Sequence, residues 1–153
     1  MNKISQGAMA NKNGRVVENM MIPLFEASGF QVVNHKDVSS NNGDRYVIKN
    51  APYTSIYNHK AKTEFVIVNG NRRIRIESKY QSALGSVDEK FPYMFLNAIS
   101  AYPENEVIFV VDGGGCKVGA KEWLRNQIKS YKGDKSIKLM DLKEFVNWFN
   151  HEF

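Results

Sequence analysis

The chain is poor in the residues on which several kinds of protein depend. Its 153 residues include a single cysteine, Cys116, which excludes an intramolecular disulfide and any zinc cluster built on cysteine. The three histidines, His35, His59 and His151, are scattered without metal-ligand spacing. No apolar run approaches the ~18 residues that a membrane span needs. Met1 to Gly14 lacks the apolar core of a signal peptide. A soluble, cytoplasmic protein without a membrane partner is therefore expected. No repeat or low-complexity tract is present, and neither a P-loop nor a GxGxxG fingerprint occurs.

What is there fits one globular domain over residues 1–153, with 42% hydrophobic and 24% charged residues. Lys and Arg total 21 against 16 Asp and Glu, a formal charge of +5. That excess is uneven: residues 60–79 hold six bases against two acids, and residues 117–138 hold seven against two. Two basic patches permit a polyanionic partner.

Apolar periodicity predicts a helix from about Asn13 to Ser28, stopped by Gly29, and then a short strand at Phe30–Val33. The polar segment 35–62 reads as an insertion. A small hairpin is expected inside it, with Tyr46–Ile48 and Ser55–Tyr57 flanking a turn at Asn50–Pro52. Glu64–Val68 and Arg73–Glu77 flank Asn69-Gly70-Asn71-Arg72, an Asn-Gly hairpin turn and the clearest β signal in the chain. Ser86 and Glu89 read as a capping box opening a helix through Ile99. Val107–Val111 has the unbroken apolarity of a strand covered on both faces. A helix, a strand at Ile137–Leu139 and a last amphipathic helix follow. The order is α-β-(hairpin)-β-β-α-β-α-β-α, an α/β (α+β) domain with a mixed sheet flanked by helices.

Chemistry concentrates in the second hairpin. Glu64 and Glu77 lie near the ends of adjacent antiparallel strands, where two carboxylates can reach one hard divalent cation. Lys79 shares the strand face of Glu77, Arg73 and Arg75, because side chains alternate with period two. From there an ammonium can hold an attacking water beside a phosphate. Read blandly, the same face is a solvated row of paired charges.

With that triplet Glu77-Ser78-Lys79, the earlier strand acid Glu64 and the element order from Asn13 to Val111, the sequence resembles the PD-(D/E)XK nuclease superfamily, of restriction-endonuclease-like fold. Asn13–Glu18, with Gly29-Phe30 following, is similar to the opening of archaeal Holliday-junction resolvases. The resemblance implies Mg²⁺-dependent phosphodiester hydrolysis leaving a 5′-phosphate, with Mn²⁺ able to substitute. It makes Glu64, Glu77 and the Ser78 carbonyl metal ligands and Lys79 the water-positioning residue. It also adds Glu18 and Gln81 as site candidates. Thr63-Glu64 stands where the family has Pro-Asp, so one ligand has a longer reach; Asp44 is a poorer competing acid.

DNA is the expected partner. Arg45, Tyr57, Lys60 and Lys62 interleave bases with aromatics. Arg73 and Arg75 accompany the acids, and Lys117 and Lys121 begin a stripe at i, i+4 spacing that is read either as phosphate contact or as a solvated face. Gly113-Gly114-Gly115 reads as a tight strand-to-helix connection. A homodimer or larger homo-oligomer is expected, since one site cuts one strand. Sequence-specific cleavage is favoured by the surface of the long insertion; junction resolution and a non-catalytic nucleic-acid-binding module are the alternatives.

Overall fold

The computed structural model describes residues 6–153, with side chains from Arg15 onward. The sequence readings that fall on Met1–Ser5, and on the side chains of residues 6–14, lie outside it. Helix α1 (Gln6–Ala27) leads through Gly29, at φ 84°, into β1 (Gln31–Asn34). Then come β2 (Arg45–Thr54), β3 (Lys60–Asn69) and β4 (Arg72–Tyr80). Helix α2 (Phe91–Ser100), β5 (Glu106–Asp112), α3 (Val118–Ser130), β6 (Ser136–Met140) and α4 (Leu142–Glu152) complete the order. The six strands form one mixed sheet in chain order, β1-β2-β3-β4-β5-β6. The strands β2–β4 run as an antiparallel meander, while β1, β5 and β6 join it in parallel. This is the α+β architecture expected.

Alternation along β5 shows how the layers are filled. Ile108 and Val110 join α1 and α4 in one core, with Phe25, Phe145 and Phe149 edge-on or tilted to one another. Val107, Phe109 and Val111 point the other way, against Phe91, Met94 and Phe95 of α2 and Leu124 of α3. Both faces of the sheet centre are therefore covered, as the apolar run implied.

Three local expectations are corrected. The first hairpin turns at Ser55–His59, where Ser55 N–H donates to the His59 carbonyl at 2.8 Å, and not at Asn50–Pro52. Asn50 instead stays within β2 in the left-handed region, at φ 54°, which asparagine tolerates. Segment 35–62 thus supplies two 3-10 turns, all of β2 and the start of β3. Ser86 makes no side-chain cap; a 3-10 turn intervenes and α2 begins at Phe91 with Pro92 in its first turn, where a missing N–H costs nothing. Capping boxes form instead at Asp141 with Glu144, at the start of α4, and at Ser39 with Asn42, on a 3-10 turn.

The glycine run packs backbone on backbone. A Cβ on Gly113, at φ 91°, would lie 2.2 Å from the Gln81 carbonyl oxygen, and one on Gly115 would lie 2.2 Å from that of Ala83. Gly115 N–H donates to the Gln81 carbonyl at 2.7 Å. Strain and clash together should make Gly113→Ala cost ~3 kcal/mol. A urea titration checks this as a lower midpoint with an unchanged slope.

Candidate active site

The site lies where sheet hydrogen bonding lapses twice. Between β2 and β3 the ladder runs to Lys49↔Phe65 and resumes at Ala51↔Thr63, skipping Asn50 opposite Glu64. Between β3 and β4 it stops at Phe65↔Ile76, one pair short of Glu64 and Glu77. β4 continues to Tyr80 on the strength of β5 alone. The freed Ser78 N–H donates to the Glu64 carboxylate at 2.9 Å. In a strand the N–H and C=O of one residue point to the same side, so the Ser78 carbonyl is also directed toward β3.

Glu77 and Lys79 share a face of β4, with Lys79 Nζ 2.5 Å from Glu77 Oε1. Glu77 is 6% exposed, and Lys79 is half-buried. Burial pushes the Glu64 carboxyl up to about 8, and the neighbouring Glu77 charge adds to it, against the opposing pull of Lys79 and the Ser78 N–H. Burial alone would lower Lys79, but the Glu77 and Glu64 charges outweigh it and hold the ammonium above its ordinary range. A buried carboxyl held above its ordinary range beside a second carboxylate, with an ammonium held above its own, forms a group built to receive more positive charge. An all-oxygen set of Glu64, Glu77 and the Ser78 carbonyl suits a hard divalent ion that keeps waters. Among the described residues no group of three or more His, Cys, Asp or Glu side chains gathers to hold a metal, here or elsewhere, so an ion at this site would rest on two carboxylates, the Ser78 carbonyl and waters.

Two cavities meet at Lys79. One, of about 560 Å³, is lined by Glu64, Ser78 and Lys79 together with Glu18 of α1. The other, of about 440 Å³, is lined by Glu77 and Lys79 together with Tyr57. Lys62 and Lys90 border both. Glu18, Glu64, Glu77, Ser78, Lys79, Tyr57 and Lys62 are thus brought together.

The remaining candidates lie elsewhere. Gln81 is 3% exposed and turned away: its Nε2 donates to the Gly115 carbonyl at 3.0 Å, and its Oε1 accepts the Asp88 N–H at 3.1 Å. It braces the loop against the glycine run. Arg75, expected on an open cationic face, is 2% exposed, because α2 covers that face. Arg73 is exposed but sits at the turn end of β4, and Arg45 pairs with Asn69 at the same end, resting over Phe30 at 5.3 Å. Asp44 adjoins that turn too, its carbonyl accepting the Gly70 N–H. Lys60 is exposed at the start of β3. Lys117 is 3.4 Å from buried Asp88, and Lys121 lines a 110 Å³ cavity beside Asp141 and Glu144, away from the acids of β3 and β4. Lys90, just before α2, and Tyr93 and Asn97 on it, which sequence reading passed over, reach the site together; their i, i+3/i+4 spacing was the available signal.

No helix among the described residues is long and apolar enough to cross a membrane. No curated protein and no solved structure gives a match to the chain. A family model does: that of the PD-(D/E)XK nuclease superfamily domain, over residues 9–153. Members of that superfamily generally use divalent metals. The match spans nearly the whole chain and covers the strand-end acids, their lysine and the mixed sheet that presents them, so the chain belongs to the PD-(D/E)XK nuclease superfamily.

Proposed function

We propose that the protein is a Mg²⁺-dependent DNA endonuclease that hydrolyses phosphodiester bonds to leave a 5′-phosphate. The observation that carries this reading is the convergence of Glu64, Glu77 and Lys79 at the lapsed end of the β3–β4 ladder. Glu64, Glu77 and the Ser78 carbonyl would hold the ion, with Mn²⁺ an acceptable substitute. When bound, the ion supplies charge stabilisation at the phosphate and its leaving oxygen. Lys79, released from its pairing with Glu77, orients the attacking water through its ammonium donors and offsets charge growing on the phosphate. Lys62 and Lys90 flank the acids and hold the backbone of the strand. Glu18 faces the same cavity as Glu64 and is an added oxygen donor for a water or the ion.

Sequence-specific cleavage, of restriction or homing type, remains the leading form. Its surface is smaller than the sequence suggested, since Arg45–Thr54 and Lys60–Lys62 of that segment are sheet, and of the Ser55–His59 turn it is Tyr57 that borders the site. Cutting both strands calls for a homodimer or larger assembly. The test incubates supercoiled plasmid, and separately a four-way junction, with Mg²⁺ or EDTA. Wild type should cut in Mg²⁺ only, and Lys79→Ala should lose about 100- to 1,000-fold in rate. Tight DNA binding without any cutting of either substrate would leave a binding module. Nicked circles as the sole plasmid product would remove the paired-subunit reading.

A further inference from the structure

Beyond its Glu77–Lys79 end, the cavity on the α2 side of Lys79 is walled mainly by aromatic rings and an amide, which suit neither a metal nor a phosphate. Its volume of about 440 Å³ lies in the ~300–1,000 Å³ range of small-ligand sites. Tyr57, 65% exposed on the Ser55–His59 turn, lies stacked on Tyr93 of α2, with ring centroids 5.2 Å apart and planes at 19°. Tyr53 and Tyr102 meet edge to face at 4.8 Å and form the floor. The Arg75 guanidinium sits over both rings, at 5.4 and 5.2 Å, and is itself bound to Glu104, so the floor is fixed before any ligand arrives.

Asn97 lines the same cavity and is fully buried. Its Oδ1 accepts the Ile56 N–H at 2.9 Å, which anchors the turn that carries Tyr57. Its Nδ2 has no hydrogen-bond partner. A buried donor left unmatched is a standing cost that an acceptor on a ligand relieves. The rim carries Lys62 and Lys90, which also border the Glu64 cavity, beside one exposed carboxylate, Glu89.

Flat aromatic faces, an unmatched amide donor and ammonium groups leading to a phosphate site match a nucleotide in a strand. We propose that this cavity takes an unpaired nucleobase of the DNA strand being cut, next to the scissile phosphate, stacked with Tyr57 and Tyr93 and with the Asn97 amide available as its donor. The identity of the strand rests on the nuclease reading; the chemistry of the pocket does not. A base inside a duplex is already stacked on both faces, so it enters only from single-stranded, flapped or locally opened DNA.

The test is binding in EDTA, where nothing is cut. A short oligodeoxythymidine is compared, by anisotropy, with an abasic oligomer of equal length and charge, with a duplex and with thymidine monophosphate. Stacking a base on an aromatic ring is worth about tenfold or more in affinity. Wild type should prefer the base-bearing strand over the abasic one by about that factor, Tyr57→Ala should reduce the gap to about twofold, and Tyr57→Trp should keep it. Equal binding of abasic and base-bearing strands overturns the proposal, as does a gap that survives both Tyr57→Ala and Tyr93→Ala. Duplex binding as tight as single strand overturns it too, and a mononucleotide that binds as tightly as the strand assigns the pocket to free nucleotides. Because cleavage is scored separately in Mg²⁺, loss of the base preference with cleavage intact removes this inference alone. Base preference without cleavage removes the nuclease reading alone.

Discussion

Glu64→Gln is expected to cripple Mg²⁺-dependent cleavage and at the same time raise the melting temperature of the metal-free protein at pH 8. The amide keeps the oxygen that accepts the Ser78 N–H, so the strand end stays closed. It removes the charge that burial and Glu77 oppose. An acid whose proton is held more tightly folded than unfolded stabilises the fold below its ordinary value and loses that contribution as pH rises through its folded value. Metal-free wild type should therefore lose stability between 4.5 and about 8. At ~1.4 kcal/mol per tenfold change in proton affinity, with water penetration absorbing about half the effect, the substitution gains ~2 kcal/mol, or about 5 °C. Cleavage should fall about a thousandfold. Metal affinity in wild type should climb with pH up to about 8, because the ion must displace that proton. Thermal scans in EDTA at pH 5 and 8, with calorimetric Mg²⁺ titrations, read all three effects. A variant less stable than wild type at pH 8 would show that burial and the Glu77 charge do not penalise the Glu64 carboxylate.

Arg75→Ala should be the most damaging of the cation substitutions, for the stability of the fold. All five N–H groups of the guanidinium are used. Nε and Nη2 donate to Glu104 at 2.5 and 3.1 Å, Nη1 to the Ala51 carbonyl and Thr63 Oγ1 at 2.9 Å each, and Nη2 also to the Pro52 carbonyl at 3.1 Å. The side chain thus ties β2, β3 and the approach to β5 together beside the gap at Asn50–Glu64. Removing it strands Glu104, itself only 5% exposed, as an uncompensated charge, at ~3–5 kcal/mol or about 10 °C in melting temperature. Arg75→Lys should recover little, since an ammonium has three donors and no fork. Lys62→Ala should behave in the opposite way, with stability within about 0.5 kcal/mol of wild type and a salt slope of DNA binding lowered by about one. An Arg75→Ala protein that melts like wild type but shows a reduced salt slope would return the residue to the DNA-facing surface.

These two residues also mark where the sequence was and was not legible. The reversal between Asn69 and Arg72 was legible, and its two turn residues, Gly70-Asn71, leave one β3–β4 pairing, which sets Glu64, Glu77 and Lys79 together. Alternation put Arg75 on the face of Glu77 correctly, but alternation does not say which faces are covered. The apolar run in β5 marked the covered centre of the sheet, and β4, paired with it, is covered on both faces as well, whereas β6 on its other side is not. Glu104, the partner that makes an arginine tolerable there, lies 29 residues away with no local pattern to announce it. Gln81 was drawn to the site by the family resemblance, yet the packing of the glycine run on its backbone, too close for a Cβ, decides where its amide points. The turn was misplaced at Asn50–Pro52 because Asn and Pro also serve a strand that kinks without reversing.

The carboxylate cap on Ser78 makes the site audible in isotope exchange. Amides in the middle of a sheet are protected by carbonyls, whose hydrogen bonding does not titrate. The Ser78 amide is protected by a side chain that gains a proton, loses it or turns to a cation. Its deuterium uptake therefore reports the state of Glu64 while Ile74 and Ile76, locked in the β3–β4 ladder, hold steady as references. Occupancy of the site can be followed at one peptide group, without substrate and without turnover.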